Sequence, residues 1–258
     1  MMVVTNALLS LLEAIPEIGP ARAVPPVGDW YYAQVPGERA ISLWENLREQ
    51  LAPLGYWPLI LGRQSESLTR PGRSDSWQIL ASRDEIFSAA ERLDLEAWVL
   101  RQLGEADFER SFDPQEFDEF GSFFAPESMQ PNHQFSVHLN LLTRKPYKEV
   151  GMGLIPARES REVPAFFHIG GWNACPAPEI HVRLLQEWHQ TYGAELVGYC
   201  GDVLELRVLK PPQTLEEARA LARVQYAYCP DIVEQGVQTL ENLARTLVNS
   251  SVWYFWWD

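Results

Sequence analysis

A histidine and a cysteine that lie close together are the side chains in this sequence best suited to chemistry. His168 precedes a Gly-Gly turn and Cys175 follows it. A thiol beside an imidazole can form an activated nucleophile, or half of a metal site. No orienting aspartate and no third ligand follows at a characteristic distance. The favoured alternative is therefore a partly buried histidine bonded to backbone.

The turn between these two residues is the second candidate, Gly170-Gly171-Trp172-Asn173. It follows an apolar segment and precedes a helix, a position at which backbone N–H groups can bind an anion. It lacks the spaced glycines and the Gly-Lys-Ser/Thr of phosphate-binding loops. The alternative is a tight turn whose glycines adopt positive φ, with Trp172 packed on the core.

A third candidate is the segment from Cys229 to Gly236, which joins two helices. Its polar side chains could converge on a ligand, or Asp231 could only cap the following helix. If this loop meets the Gly-Gly turn, the two form a ligand pocket. The residues predicted to line that pocket are His168, Gly170, Gly171, Trp172, Asn173, Cys175, Asp231 and Gln235. The catalytic residues are unknown because no nucleophile elbow, zinc-protease motif or paired carboxylates occur, and no metal or cofactor is expected.

The remaining histidines do not extend these candidates. His181 and His189 are eight residues apart on one predicted helix, too far to share a metal ion, and we expect them on its solvated side. His133 and His138 lie around a predicted strand and would face opposite ways.

The elements that must position these residues follow from hydrophobic periodicity, turn residues and capping patterns. Thr214 and Glu217 form a capping box, and Gly201-Asp202 is a two-residue hairpin turn. In order, the carboxy-terminal half is predicted to contain strand 163–169, helix 178–192, strands 194–200 and 203–209, a helix from Thr214 that ends before Pro230, helix 240–248 and strand 251–257.

This order is the β-α-β-β-α-β unit of a ferredoxin-like sandwich, so the predicted fold class is α+β, with helices on one face of an antiparallel sheet. Strands at 29–35 and 56–61, a helix from Ala40 and helices from Ser82 and Asp94 repeat the theme before it. A related amino-terminal half is one interpretation, although no residue-level repeat supports it. We predict two domains, residues 1–130 and 131–258.

An acidic, aromatic segment near the end of the first predicted domain connects the two halves. From Asp107 to Phe124, aspartate and glutamate alternate with phenylalanine. Such a segment could clamp a basic groove or act as a lid. The favoured alternative is that the phenylalanines plug the interface between the halves, because free phenylalanine clusters promote aggregation.

Residues 62–76 are predicted to form a mobile loop, and residues 77–80 a short strand.

The net charge of the chain indicates which classes of partner it can bind. The formal net charge is −14, which disfavours nucleic acid and would favour a basic protein partner. Acidic surfaces also simply keep proteins soluble, and that is the favoured explanation. The three cysteines form no even disulfide framework, so a cytoplasmic location is expected. The amino terminus is predicted to be a short amphipathic helix, and no apolar run is long enough to span a membrane.

Several motifs stand out together along the carboxy-terminal half: the Gly170 turn, Cys175-Pro176, Tyr192-Gly193-Ala194-Glu195, Pro211-Pro212, Tyr228-Cys229-Pro230-Asp231 and the ending Trp253-Tyr254-Phe255-Trp256-Trp257-Asp258. As a set they resemble the bacterial family called domain of unknown function 4253. The resemblance is strongest over residues 163–258, and it implies no activity. Two functions stay open: a non-enzymatic, immunity-like protein-binding module, or an enzyme or small-ligand protein with the pocket described above.

The aromatic ending makes a separate prediction. Strand alternation would bury Trp253, Phe255 and Trp257, with Tyr254 and Trp256 on the other face. The alternative is a platform on which a ligand stacks.

Overall fold

The structure is a computed structural model that describes residues 2–24, 30–63, 81–104 and 129–258. Within these ranges the helices are α1 (Met2–Glu13), α2 (Ala40–Leu51), α3 (Arg83–Arg92), α4 (Leu95–Leu103), α5 (Glu162–Phe167), α6 (Pro178–Tyr192), α7 (Leu215–Tyr228) and α8 (Leu240–Leu247). The strands are β1 (Arg22–Ala23), β2 (Tyr31–Pro36), β3 (Trp57–Ile60), β4 (Glu149–Ile155), β5 (Glu195–Cys200), β6 (Val203–Arg207) and β7 (Val252–Trp256). Short 3₁₀ turns cover Gly37–Arg39 and Ala52–Leu54, and Ile232–Val237 is a π-helix.

The described strands form one mixed, mostly antiparallel sheet in the order β1-β2-β4-β3-β5-β6-β7. Strand β4 pairs antiparallel with β2 and with β3, for example Ala33 opposite Met152 and Leu59 opposite Gly153. Strand β3 pairs parallel with β5 at Ile60 and Gly198. Helices together with this sheet confirm the α+β class.

The prediction of a strand at 163–169 is wrong. Glu162–Phe167 is helix α5, with Pro164 in its first turn and His168 ending it at φ 51°. A short apolar run fits a buried helix as well as a strand, and proline is tolerated in the first helical turn. The ferredoxin-like order therefore loses its first strand. The strand that precedes the Gly-Gly turn is β4, whose Gly151 and Gly153 weaken the strand signal.

The other predicted elements of the carboxy-terminal half are confirmed within one or two residues at their ends. Pro178 occupies the first turn of α6, and Gly193 ends it at φ 61°. The Thr214 hydroxyl accepts from the Glu217 N–H in a complete capping box. Helices α2 and α4 and strands β2 and β3 likewise lie where the sequence predicts them, and the Asp94 side chain caps α4. His133 and His138, in contrast, lie outside any described strand.

The chain forms two compact units, each built from separated segments. The first unit contains residues Met1–Arg83, Phe135–Ile169 and Leu196–Glu205, and the second contains Asp84–Gln134, Gly170–Glu195 and Leu206–Asp258. The predicted division at residue 130 stays a prediction.

Tryptophans that use their N–H groups hold the core of the first unit. Trp44 is fully buried, and its Nε1 donates to the carbonyl of Pro58 at 2.9 Å. Trp57 Nε1 donates to the carbonyl of Leu196 at 2.9 Å. Because a buried indole needs a partner for its N–H, these bonds fix helix α2 against β3, and β3 against β5.

The alternation predicted for the aromatic ending is confirmed in the second unit. Trp253, Phe255 and Trp257 are at most 2% exposed, whereas Tyr254 and Trp256 are half-buried. The backbone of β7 is also covered: Val252 N–H donates to the carbonyl of Asn132 at 3.0 Å, and the Cys229 thiol donates to the carbonyl of Trp256 at 2.9 Å. Covering an edge strand in this way prevents it from pairing with another chain.

Three predictions concern residues outside the described ranges: most of the polar loop 62–76, the strand 77–80 and the acidic, aromatic segment 107–124.

In the part of the chain that the structure describes, no helix combines the length and apolarity needed to cross a membrane. The three cysteines all lie within the described ranges, and none of them forms a disulfide.

Candidate functional site

The Gly-Gly turn begins the predicted site and has the positive backbone angles expected of it. Gly170 and Gly171 have φ of 117° and 80°, and Asn173 has φ of 45°. A Cβ atom on Gly170 would lie 1.8 Å from the carbonyl oxygen of Pro176, so only glycine fits there. The Gly171 N–H donates to the carbonyl of Cys175, and the Cys175 N–H to that of Trp172. Since these two N–H groups are used inside the turn, they are not available to an anion.

The residues of the Gly-Gly turn are exposed or half-buried, whereas Cys175, which follows the turn, is buried. Gly171 and Asn173 are exposed and Trp172 is half-buried, while Cys175 is only 4% exposed. Trp172 therefore does not pack in the core. The sulfur of Cys175 points into the second unit.

The partner of Cys175 is His181, not His168. The Cys175 Sγ lies 3.5 Å from His181 Nε2. His168 belongs to the first unit, where its Nε2 lies 2.9 Å from the carbonyl oxygen of Ala81. It is half-buried and bonded to backbone, which is the alternative favoured by its sequence context.

His181 is fully buried, so its predicted place on the solvated side of α6 is wrong. His189, on the same helix, is exposed as expected. The signal was present in the sequence: His181 precedes Leu184, Leu185 and Trp188 by three, four and seven residues. That spacing places it on the apolar stripe of the helix.

A hydrogen-bond network fixes the protonation of His181. Its Nδ1 lies 2.5 Å from the Tyr228 hydroxyl, and the carbonyl of Pro176 accepts its other ring N–H. Burial lowers the pKa of His181 to about 3, an effect that the Pro176 carbonyl opposes. Burial also raises the pKa of Tyr228 well above its ordinary value. Tyr228 is therefore the donor and neutral His181 the acceptor at Nδ1.

The two thiols beside this network are also neutral. Burial, and then the nearby Cys229 thiol, raise the pKa of Cys175 well above the ordinary range. Burial raises the pKa of Cys229 to about 12. Because a thiolate is the reactive form of cysteine, this environment suppresses nucleophilic chemistry. The network holds the Gly-Gly turn and the end of α7 in place.

Aromatic side chains surround the network. The Tyr228 ring meets Trp257, Phe255 and Trp188 edge-on, with centroids 4.9 to 5.2 Å apart. Trp257 Nε1 donates to the carbonyl of Tyr228 at 3.2 Å. Strand β7 thus closes the cluster that positions both loops of the predicted site.

The second loop starts at this cluster and continues into the π-helix. Asp231 accepts two hydrogen bonds, from Gln235 Nε2 at 3.0 Å and from the Asp258 N–H at 2.9 Å. It does not cap a helix through its side chain. Gln235 and Glu234 are exposed, and Glu234 accepts from the Tyr226 hydroxyl. The short π-helix, a feature common near functional sites, turns these side chains outward.

The structure thus joins the two predicted loops at their buried ends, through Cys175, His181 and Tyr228. Of the residues predicted to line the pocket, Gly171, Asn173 and Gln235 are exposed. Binding of a ligand by these residues stays a prediction. Among the described residues, no three histidine, cysteine or acidic side chains form a group that could hold a metal ion.

Comparison with known proteins agrees with the motifs. The family Domain of unknown function (DUF4253) matches residues 151–258, which confirms the resemblance indicated by the motifs. No curated protein and no solved structure matches the chain.

Proposed function

We propose that this protein is a non-enzymatic protein-binding module whose recognition surface is formed by the two loops, residues 170–175 and 229–236. One observation carries the proposal: Cys175, His181 and Cys229 are buried and neutral, while the same cluster anchors two loops with exposed outer residues. Loops held by a rigid base are a common way to build a binding surface.

The partner proposed for this surface is a basic protein, as an immunity protein binds a toxin. The chain carries a net charge of −14, and Glu234 and Asp258 are exposed at the second loop. Complementary charge raises the association rate and makes binding sensitive to salt. We place this binding in the cytoplasm, because free thiols suit a reducing compartment.

The test uses the full chain to capture a basic partner from host lysate, followed by affinity measurements with the purified partner. Two variants, Ala174→Arg and Gln235→Arg, place a positive charge on exposed positions of the loops. We expect each to weaken binding about tenfold, equal to about 1.4 kcal/mol. Gln190→Arg, at an exposed position of α6, is the matched control.

Binding that is unchanged in both loop variants, or that does not weaken as salt rises, would contradict the proposal. Circular dichroism and thermal unfolding of each variant separate loss of contact from loss of fold.

A second candidate function is binding of a small polar molecule at the same loops. The observation that favours it is that both loops border His181, one through Cys175 and one through Tyr228. Amide NMR of the labelled chain against a metabolite library tests it. Shifts confined to the amides near Asn173 and Gln235 would support this candidate, and their absence with every compound would remove it.

A further inference from the structure

A second exposed surface lies in the first unit, at the hairpin of residues 139–148, called here the basic hairpin. Leu139 and Pro146 form an antiparallel bridge. The Asn140 N–H donates to the carbonyl of Lys145 at 2.9 Å, and the Arg144 N–H to that of Asn140 at 2.8 Å. The Asn140 side-chain oxygen accepts from the N–H groups of Leu142 and Thr143. These bonds give the tip a single closed conformation.

A buried carboxylate fastens the chain that leads into the basic hairpin. Glu205 is 1% exposed and accepts from the Ser136 N–H, the Ser136 hydroxyl and the Val137 N–H, at 2.5 to 3.0 Å. Val137 packs on Gly198, where an added Cβ would lie 2.8 Å from its Cγ1 atom. Strand β5 therefore has no room for a side chain at position 198, where Val137 packs against it.

The chain that leaves the hairpin is fastened as well. A Cβ on Gly37 would lie 2.1 Å from the carbonyl oxygen of Tyr147, and the Gly37 N–H donates to the carbonyl of Lys148. The guanidinium of Arg63 lies over the Tyr147 ring, 5.7 Å from its centroid. The basic hairpin is therefore pre-organised for binding, which lowers the entropy cost of docking.

Two leucine side chains at the tip of the hairpin are exposed to solvent. Leu142 is 96% exposed and Leu141 is 60% exposed, whereas Leu139 at the base is 4% exposed. Single exposed leucines are ordinary on protein surfaces. Two adjacent leucines at the tip of a fixed hairpin, rimmed by charges, instead form a patch typical of an interaction site.

The charge around the rim of this patch is positive, opposite in sign to the net charge of the chain. Arg144, Lys145 and Lys148 are exposed, and none of them makes an ion pair with a described residue. The chain has three lysines, and two of them lie here. The net charge of −14 makes this concentration of cations a local exception.

We propose that the basic hairpin docks onto an acidic protein segment, with Leu142 in an apolar pocket and the three cations facing carboxylates. An anionic membrane or a nucleic acid would present an extended field to the whole molecule, and its charge of −14 would be repelled. A short acidic segment acts mainly within the Debye length of about 8 Å, where the cations of the hairpin dominate. The residues of this surface differ from those of the loops in the proposed function.

The experiment measures binding of fluorescent peptides to the full chain by anisotropy, at low and high salt. The probes are an acidic peptide of glutamate and leucine, the same peptide with glutamine for glutamate, and one with lysine. Binding to phosphatidylserine vesicles is measured in parallel by co-sedimentation. We expect only the acidic peptide to bind, more weakly as salt rises. Leu142→Ser and the double variant Lys145→Glu/Lys148→Glu should each weaken it about tenfold.

The chain supplies matched controls for both changes. Leu209 is 56% exposed and Lys210, the third lysine, is exposed beside it. Leu209→Ser and Lys210→Glu should leave peptide binding unchanged. Methyl NMR of the leucines should show that Leu141 and Leu142 shift on titration, while Leu209 does not.

Three outcomes would overturn the proposal. They are equal binding of the acidic and glutamine peptides, equal loss in the hairpin and control variants, and binding only to phosphatidylserine vesicles. The last outcome would assign the basic hairpin to a membrane surface instead.

Discussion

Each of the two units buries an ionisable side chain in a polar network, Glu205 in the first and His181 in the second, and the two networks respond to pH in opposite ways. In the first unit, Glu205 receives hydrogen bonds from Ser136 and Val137. In the second, His181 lies between Tyr228 and Cys175. Burial raises the pKa of Glu205 and lowers the pKa of His181, because in both cases it disfavours the charged form.

Burial therefore disfavours the charged form in both networks, but it does so for a base in one and for an acid in the other. Neutral His181 holds together the two loops of the proposed recognition surface, and acid would disrupt this contact. Glu205 holds the base of the basic hairpin, and its burial is less costly in acid, where the carboxyl is protonated.

The largest effect is expected from removing β7, which closes the cluster around His181. A chain that lacks residues 252–258 loses Trp253, Phe255 and Trp257, all buried. Each large aromatic contributes about 3–5 kcal/mol to the free energy of unfolding, and a domain has only about 5–15 kcal/mol in total. We expect an insoluble or molten product by near-ultraviolet circular dichroism and gel filtration. A monomer with an unchanged thermal transition would show that these residues are not core.

The second effect is loss of stability in acid through His181. Its pKa in the folded state is about 3, below the ordinary 6.5, so the folded state binds fewer protons than the unfolded state between these values. The contribution is complete above pH 6.5 and is lost as pH falls, by about 1.4 kcal/mol for each pH unit. Urea unfolding at several pH values measures it. The His181→Gln variant should be less stable at pH 7 and less sensitive to pH, and an unchanged pH slope would contradict the assignment.

A smaller effect of opposite sign is expected for Glu205. Its pKa is raised, so the folded state binds more protons and this group contributes more stability below the folded-state pKa than at neutral pH. Glu205→Gln keeps the size of the side chain but replaces one acceptor with a donor, which should cost about 1–3 kcal/mol. Hydrogen exchange should rise at the amides of Ser136 and Val137 and through the basic hairpin. Exchange in α6 is the internal control, and an equal rise there would indicate general destabilisation.

The smallest effect concerns thiol reactivity and leaves the fold unchanged. Cys175 and Cys229 are buried with raised pKa values, whereas Cys200 in the first unit is only partly buried. We expect a thiol reagent at pH 8 to modify Cys200 at least about tenfold faster than the other two. Peptide mapping by mass spectrometry identifies the site. Faster reaction of Cys175 would show an accessible, activated thiol and would favour an enzyme.

Some elements were predictable because their signals are local. The Thr214 capping box, the Gly201-Asp202 turn and the alternation from Val252 to Trp257 each depend on neighbouring residues alone. Caps and strand alternation follow from backbone geometry, so the sequence was sufficient.

Other features depend on partners that are distant in sequence. The residues near Val163 are apolar and fit either a strand or a helix, and β4 contains two glycines yet pairs with a strand on each side. The burial of His181 is indicated by its place on the apolar stripe of α6, but its contact with Tyr228, 47 residues away, is not.

The sequence by itself determined the α+β class, the order of elements after Gly170 and the burial of the aromatic ending, because periodicity and capping act over a few residues. Only the tertiary structure decided that His181, not His168, meets Cys175, and that Glu205 holds the base of a basic hairpin. Both are long-range contacts, in which a polar group becomes buried only when segments distant in the chain supply its hydrogen bonds.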